Sequence, residues 1–309
     1  MIDNFSFNFL SSFLICLLFL GNPFVAAEVK SANSSFFKSN PTLNSPPWPE
    51  WAHHHWVWEN EGTTQSATSL VNDYQLRGIP VGALILDRPW DTSASNLIPD
   101  PIRYPEFKSL IQNMHSKNVK VMLWSIPLLN EKKPGESIQD PEFLQAKAEN
   151  FFINGGKLIK WWGGKGAMLD YNNPHAVSWW HEKMDHVLEM GIDGWKLDGI
   201  DPYVMLAQYQ SSAQNIFSSL FGLIVEGSPS RKFWDRYRKK YYTDYWHYSN
   251  LKTGKKMVIT ARPVDRLEPL NLFFPFSSRE VSFSGWVGDQ DGSWTGLKAA
   301  IKNMKKSSE

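Results

Sequence analysis

A succession of short apolar runs, several closed by a charged residue and separated by helix-length stretches, constrains this chain more than any other feature. The runs are Gly82-Ala83-Leu84-Ile85-Leu86-Asp87, Val119-Lys120-Val121-Met122-Leu123-Trp124, Ala167-Met168-Leu169-Asp170, Trp195-Lys196-Leu197-Asp198, Met257-Val258-Ile259-Thr260-Ala261-Arg262 and Val281-Ser282-Phe283-Ser284-Gly285-Trp286, with Asp289 just beyond the last. Helix-period segments fall between them, at about 66–76, 104–116, 173–190, 231–248 and 294–305. Asn173-Pro174 opens the third of these and Gly191 stops it. Strands alternating with helices predict parallel βα units. Charge collected at strand C-termini is what a (β/α)8 barrel shows, because its active site forms there. An open, doubly wound sheet also places polar groups at strand ends. No glycine-rich phosphate loop follows any run, which counts against the nucleotide-binding version of that sheet.

Bulk properties leave room for such a fold and exclude some partners. The chain has 309 residues, 42% hydrophobic, enough for a large core. A net charge of +1 without runs of like charge gives no basis for nucleic-acid or anionic-membrane binding. The apolar run from Phe13 to Leu20, with Val25-Ala26-Ala27 before Glu28, reads as a secretory signal cleaved after Ala27. It is short for a bilayer span. The n-region Met1-Ile2-Asp3-Asn4 lacks a basic residue, so an uncleaved anchor is the alternative. Cleavage would remove Cys16, the one cysteine, and with it any disulfide or thiolate metal site. Residues 28–49 are rich in Ser, Asn and Pro and read as a flexible lead-in that contains the sequon Asn33-Ser34-Ser35. The expected organisation is a signal over 1–27, this lead-in, and a partial barrel over 50–309. The expected destination is the secretory lumen or the exterior.

Two aspartates delivered by different strands are the equipment of a retaining glycosidase, one as nucleophile and one as acid/base. Asp198 has the position for attack on an anomeric carbon. Lys196, two residues earlier on the same strand, points to the same side and would favour the ionised carboxylate. The structural alternative for Asp198 is a helix cap or a plain pairing with Lys196. Asp289 would protonate the leaving oxygen and later deprotonate water, with Asp291 as its competitor. For both, a solvated acidic turn is the plain alternative. Arg262 can clamp sugar hydroxyls through its fork of donors, or brace the rim as a salt bridge. Asp87 can accept from the sugar, or pair with neighbouring Arg88. Trp124 and Trp286 are candidate stacking walls, with core packing a rival for Trp124. Consecutive histidines, His53-His54-His55, cannot easily converge on one ion, so no metal and no cofactor are expected.

These segments resemble glycoside hydrolase family 31. Asp193-Gly194-Trp195-Lys196-Leu197-Asp198-Gly199-Ile200-Asp201 is similar to the family's nucleophile segment, and Trp286-Val287-Gly288-Asp289 to its acid/base segment. Leu169-Asp170-Tyr171-Asn172-Asn173-Pro174 with Trp179-Trp180, Arg262 and Asp87 also stand where the family has counterparts. The resemblance covers about residues 47–305. It implies a retaining α-glycosidase acting on terminal α-linked sugars through a covalent glycosyl-aspartate, on an oligosaccharide or glycoside substrate, without a cofactor. Lys196 resembles the branch with α-xylosidases, α-galactosidase-like enzymes and sulfoquinovosidases. A Lys-x-Asp nucleophile also occurs in neighbouring α-galactosidase barrels, against which Trp286 to Asp289 argues. The family barrel has eight strands and this sequence offers six candidates. The family's flanking β-domains and late histidine have no counterpart here. The expectation is thus an incomplete barrel of about six βα units, a fragment or a truncated chain. The alternative function is an inactive barrel that at most binds carbohydrate, since an unfinished sheet leaves two edges unpaired.

Overall fold

Six strands pair side by side in the order in which they occur in the sequence, all parallel. In the computed structural model they are β1 (His55–Glu59), β2 (Val81–Leu86), β3 (Lys120–Ser125), β7 (Gly194–Leu197), β8 (Val258–Ala261) and β9 (Ser284–Gly285). The structure describes residues 49–133, 135–161, 163–198, 229–261, 284–286, 289 and 291–308. The signal and most of the lead-in, Cys16, Asn33, Asp201 and Arg262 lie outside them. An open doubly wound sheet reverses strand order at a switch point. An unbroken sequential order does not, and it is the wall of a (β/α) barrel.

Helices α1 (Thr64–Leu76), α2 (Phe107–Ser116), α4 (Pro174–Leu188) and α5 (Pro229–Thr253) connect the strands, and α6 (Trp294–Ser308) follows β9. Their starts are written in the sequence. Thr63 and Ser66 form a reciprocal capping box on α1. The Asn173 side chain accepts from the His175 and Ala176 N–H groups while Pro174 takes the first turn of α4. Gly191, at φ +106°, lets the chain turn back into β7. No helix among the described residues is long and apolar enough to cross a membrane.

Two strand expectations need correction. The run at 167–170 is not part of the parallel wall. It belongs to β6 (Gly164–Met168), the middle strand of a small antiparallel sheet with β4 (Leu128–Asn130) and β5 (Ile159–Trp161). This sheet and α3 (Pro141–Ala148) are inserted between β3 and α4. Ala167, Met168 and Leu169 are apolar because they are wholly buried in the common core, which sequence periodicity cannot assign to one sheet or the other. The first strand of the wall is instead His55–Glu59, whose His, Glu and exposed Trp58 mask its strand character. His55 of the triple-histidine run stacks on Tyr74 at 5.0 Å.

Helix α5 packs an aromatic stripe, Trp234, Tyr237, Tyr241 and Tyr245, against the wall, each at most 1% exposed. Buried phenols need partners. Tyr237 donates to the Leu169 carbonyl at 2.6 Å and Tyr241 to the Ser125 carbonyl at 3.2 Å. The Tyr245 hydroxyl accepts from Trp180 Nε1 at 2.7 Å and shares a hydrogen bond with Ser125 Oγ at 2.7 Å. These bonds fasten the helix to the C-terminal end of β3, to α4 and to the residue after β6. Replacing Tyr245 by Phe would strand the Trp180 N–H in a dry interior. We expect Tyr245→Phe to lower unfolding free energy by about 1–3 kcal/mol in urea titrations. An exposed change such as Leu251→Ala should stay within about 0.5 kcal/mol.

Candidate active site at the strand ends

At the C-terminal edge of the wall, one lysine gathers side chains from four strand ends. Lys196, on β7, donates from Nζ to Asp87 Oδ2 at 2.6 Å, although β3 lies between their strands. Asp87 follows β2. Its Oδ2 also accepts from Trp58 Nε1 at 2.6 Å, and its Oδ1 from the Arg88 N–H at 2.8 Å. The Lys196 ammonium lies 5.1 Å from the Trp58 ring centroid and 4.0 Å from that of Trp286. Such cation–π contacts matter most where water is excluded. Trp58 is on β1 and Trp286 directly follows β9, the two edges of the sheet.

That contact measures curvature. Six flat strands about 4.8 Å apart would put their edges roughly 24 Å from one another. Through Lys196 the two edge rings have centroids no more than 9.1 Å apart. The wall is therefore strongly bent, with these side chains on its concave side.

Asp198 leaves β7 two residues after Lys196 and is 4% exposed. Its N–H donates to the Ser125 carbonyl at 2.9 Å, and its Oδ2 accepts from Trp124 Nε1 at 3.1 Å. Trp124 is thus buried, yet its indole N–H is aimed at the candidate nucleophile. Trp161 from β5 lies parallel to Trp124, centroids 6.5 Å apart and planes at 9°. The Arg88 guanidinium carbon sits 5.5 and 5.2 Å from those two rings. Burial lowers the Arg88 pKa, against the opposing pull of Asp91 and Asp87.

The other sequence candidates fall as follows. Asp289 is described and exposed. Asp291 accepts from the Ser293 N–H at 3.0 Å and from its hydroxyl, in the turn that enters α6. Asp170 accepts from the Asn172 N–H at 2.8 Å and follows β6 of the antiparallel sheet, not a strand of the parallel wall. Asp87 does not pair with the Arg88 guanidinium as its structural alternative required. It takes the Arg88 N–H and the Lys196 ammonium. Lys196, expected beside Asp198, makes its ion pair with Asp87. The pattern of charged strand ends does not point to Trp58, Arg88 or Trp161. The Trp-x-Trp alternation at 56 and 58 was the available signal for Trp58, and Gly163 for Trp161. A Cβ at Gly163 would collide with Arg88 Nη1 and the Trp161 ring. Among the described residues no group of three His, Cys, Asp or Glu could hold a metal ion.

A parallel (β/α) wall with acidic, basic and aromatic side chains converging on its strand C-termini is the arrangement of barrel enzymes. Residues 45–308 match the profile of the glycosyl hydrolases family 31 TIM-barrel domain, and the chain belongs to that family. Among curated relatives, it is 20% identical to an isomaltosyltransferase of Sporosarcina globispora over 89% of this chain and 25% of the relative. It is 24% identical to an α-xylosidase of Lactiplantibacillus pentosus over 48% of this chain and 20% of the relative. The chain therefore spans about a quarter of their length or less. A cycloalternan-degrading enzyme from Trueperella pyogenes superposes with a TM-score of 0.63 at 18% identity, over 84% of this chain and 37% of that one. A family 31 dextranase of Flavobacterium johnsoniae complexed with glucose gives 0.62 at 14% identity, over 84% and 30%. These superpositions establish the shared fold.

The loop after β2 carries a second buried acid. Asp91 is 4% exposed, and neither carboxyl oxygen meets a hydrogen-bond partner on another residue. Burial pushes its pKa up to about 7 despite the attraction of Arg88. A raised carboxyl pKa means the folded state binds the extra proton between about pH 4 and 7. Stability is therefore lost as pH rises through that window. Asp91→Asn should be more stable than the parent at pH 8, by about 2–4 kcal/mol, and the gap should close near pH 4. Denaturant titrations at the two pH values check this.

Proposed function

We propose that this chain is the catalytic barrel, or part of it, of a secreted or lumenal retaining α-glycosidase acting on terminal α-linked sugars. The observation that carries the reading is the setting of Asp198. It is a buried carboxylate at the end of a barrel strand, oriented by Trp124 Nε1, beside the Lys196–Asp87 pair. Family membership supports the same class of reaction. Relatives named as an α-xylosidase and an α-glucosidase support action on α-linked sugars.

In the proposed cycle, an oxygen of Asp198 bonds to the anomeric carbon as the bond to the leaving oxygen breaks. Asp289 supplies the proton that oxygen takes up. Water then attacks the glycosyl-aspartate from the opposite face and gives a proton to Asp289. Asp198 leaves as carboxylate, and two inversions give net retention. Direct attack needs the two carboxyls about 5–5.5 Å apart. Trp58, half exposed, offers a flat face to the sugar, while buried Trp124 orients Asp198 through its N–H. Asp87 and Arg262 are the proposed hydrogen-bonding residues for the sugar hydroxyls, with Lys196 hydrogen-bonded to Asp87 Oδ2 and fixing its orientation.

The second reading is an inactive barrel that binds carbohydrate. One observation favours it: Asp289 is exposed. Released-sugar assays on the purified chain separate the two, using aryl α-xyloside and α-glucoside against an Asp198→Asn control. The glycosidase reading expects hydrolysis that falls at least about a thousandfold in the variant. Equal background from both proteins would exclude it.

A further inference from the structure

Beyond the strand-end site, a cavity of about 390 Å³ lies on the antiparallel sheet. Its volume is in the range of small-molecule sites. Its lining includes Asn130, Glu131, Lys132, Lys133, Gly163 and Lys165. Three of these lining residues are lysines and one is a glutamate. That carboxylate is already engaged: Glu131 Oε1 accepts from Gln139 Nε2 at 3.1 Å, and its Oε2 lies 4.0 Å from Lys165 Nζ. The cavity is left with net positive charge, in a protein whose overall balance is only +1.

The cavity shares a wall with the candidate active site. Asn130 is 1% exposed and fully used: Oδ1 accepts from Trp161 Nε1 at 2.8 Å, and Nδ2 donates to the Gly163 carbonyl at 3.0 Å. Arg88 Nη1 reaches the same carbonyl at 3.4 Å. On the other side of these groups stands Trp124, which holds Asp198. The close approach of Arg88 and Trp161 to the hairpin is possible only because residue 163 is a glycine. Residues lining the cavity are thus joined through Trp161 and Gly163 to Arg88 and Trp124 of the strand-end site.

We propose that this cavity is an accessory subsite for an anionic sugar residue of a glycan whose terminal unit occupies the strand-end site. The anion would be a carboxylate or sulfate. Lysines on flexible stems suit it, since they attract charge without demanding the planar geometry of one acid. The glycan part of this inference rests on the glycosidase reading. The anionic part rests on Lys132, Lys133 and Lys165.

The test is calorimetric binding to the Asp198→Asn chain, which removes turnover. The probes are trigalacturonate, its carboxyl-reduced neutral counterpart and a sulfated galactan trisaccharide. At low salt, at least one acidic probe should bind about tenfold or more tighter than the neutral one. Screening at high salt should shrink that margin. It should fall below about twofold when Lys132, Lys133 and Lys165 are all changed to Ala, with the thermal midpoint unchanged. Whichever acidic probe wins identifies carboxylate or sulfate. Equal binding of acidic and neutral probes, no binding of any, or a preference that survives the triple change would overturn the proposal. Should the triple variant fail to fold, Lys132→Glu alone gives the same reading: an undiminished preference overturns it. Glycosidase failure is distinguished separately. A wild-type chain that keeps the anion preference but hydrolyses neither aryl glycoside sinks that reading alone.

Discussion

The Lys196–Asp87 ion pair is the interaction on which the rest of the site depends. Burying two charges is costly, and their attraction compensates only when the remaining donors and acceptors are satisfied. Here they are: Trp58 and the Arg88 backbone complete Asp87, and two indole faces flank the ammonium. The pair reaches across an intervening strand and, with its indoles, joins four strand ends from both edges of the sheet. Curvature of the wall and composition of the site are therefore one fact. A flat sheet would hold Trp58 and Trp286, on opposite edges, too far apart to meet one ammonium.

Behind that layer, α5 stiffens the floor. Ser125 ends β3, and its carbonyl accepts from both the Asp198 N–H and the Tyr241 hydroxyl. The backbone carrying the candidate nucleophile is thus anchored to the same residue that the tyrosine stripe holds. On the other side, the antiparallel insertion presses Trp161 and Gly163 onto Arg88 and Trp124. Rigid support from both sides is what a carboxylate needs to meet one carbon atom in one direction.

Much of this was legible in the residues. The charged strand ends put Asp87, Asp198 and Lys196 on the parallel wall, with Trp124 among them, because a hydrophobic run that stops on a charge marks where a strand leaves the core. Strand parity predicts Lys196 on the same side as Asp198. What parity lacks is the partner two strands away, which depends on how far the sheet bends; hence Asp87 rather than Asp198. The run at 167–170 was misassigned because complete burial looks alike in both sheets. His55–Glu59 was missed because an edge strand that lends Trp58 to the site keeps it partly exposed. Arg262 and the signal segment lie outside the described residues.

The central claim is that Asp198, held by Trp124, is the group that captures the sugar. Its most direct test is to incubate the chain with a fluorinated glycosyl fluoride that forms the covalent intermediate quickly and releases it slowly. Peptide mass spectrometry then locates the label. One glycosyl unit is expected on the peptide bearing Asp198, and none when that residue is Asn. A label on another carboxylate, or an unlabelled Asp198 in a chain that turns over substrate, would contradict it.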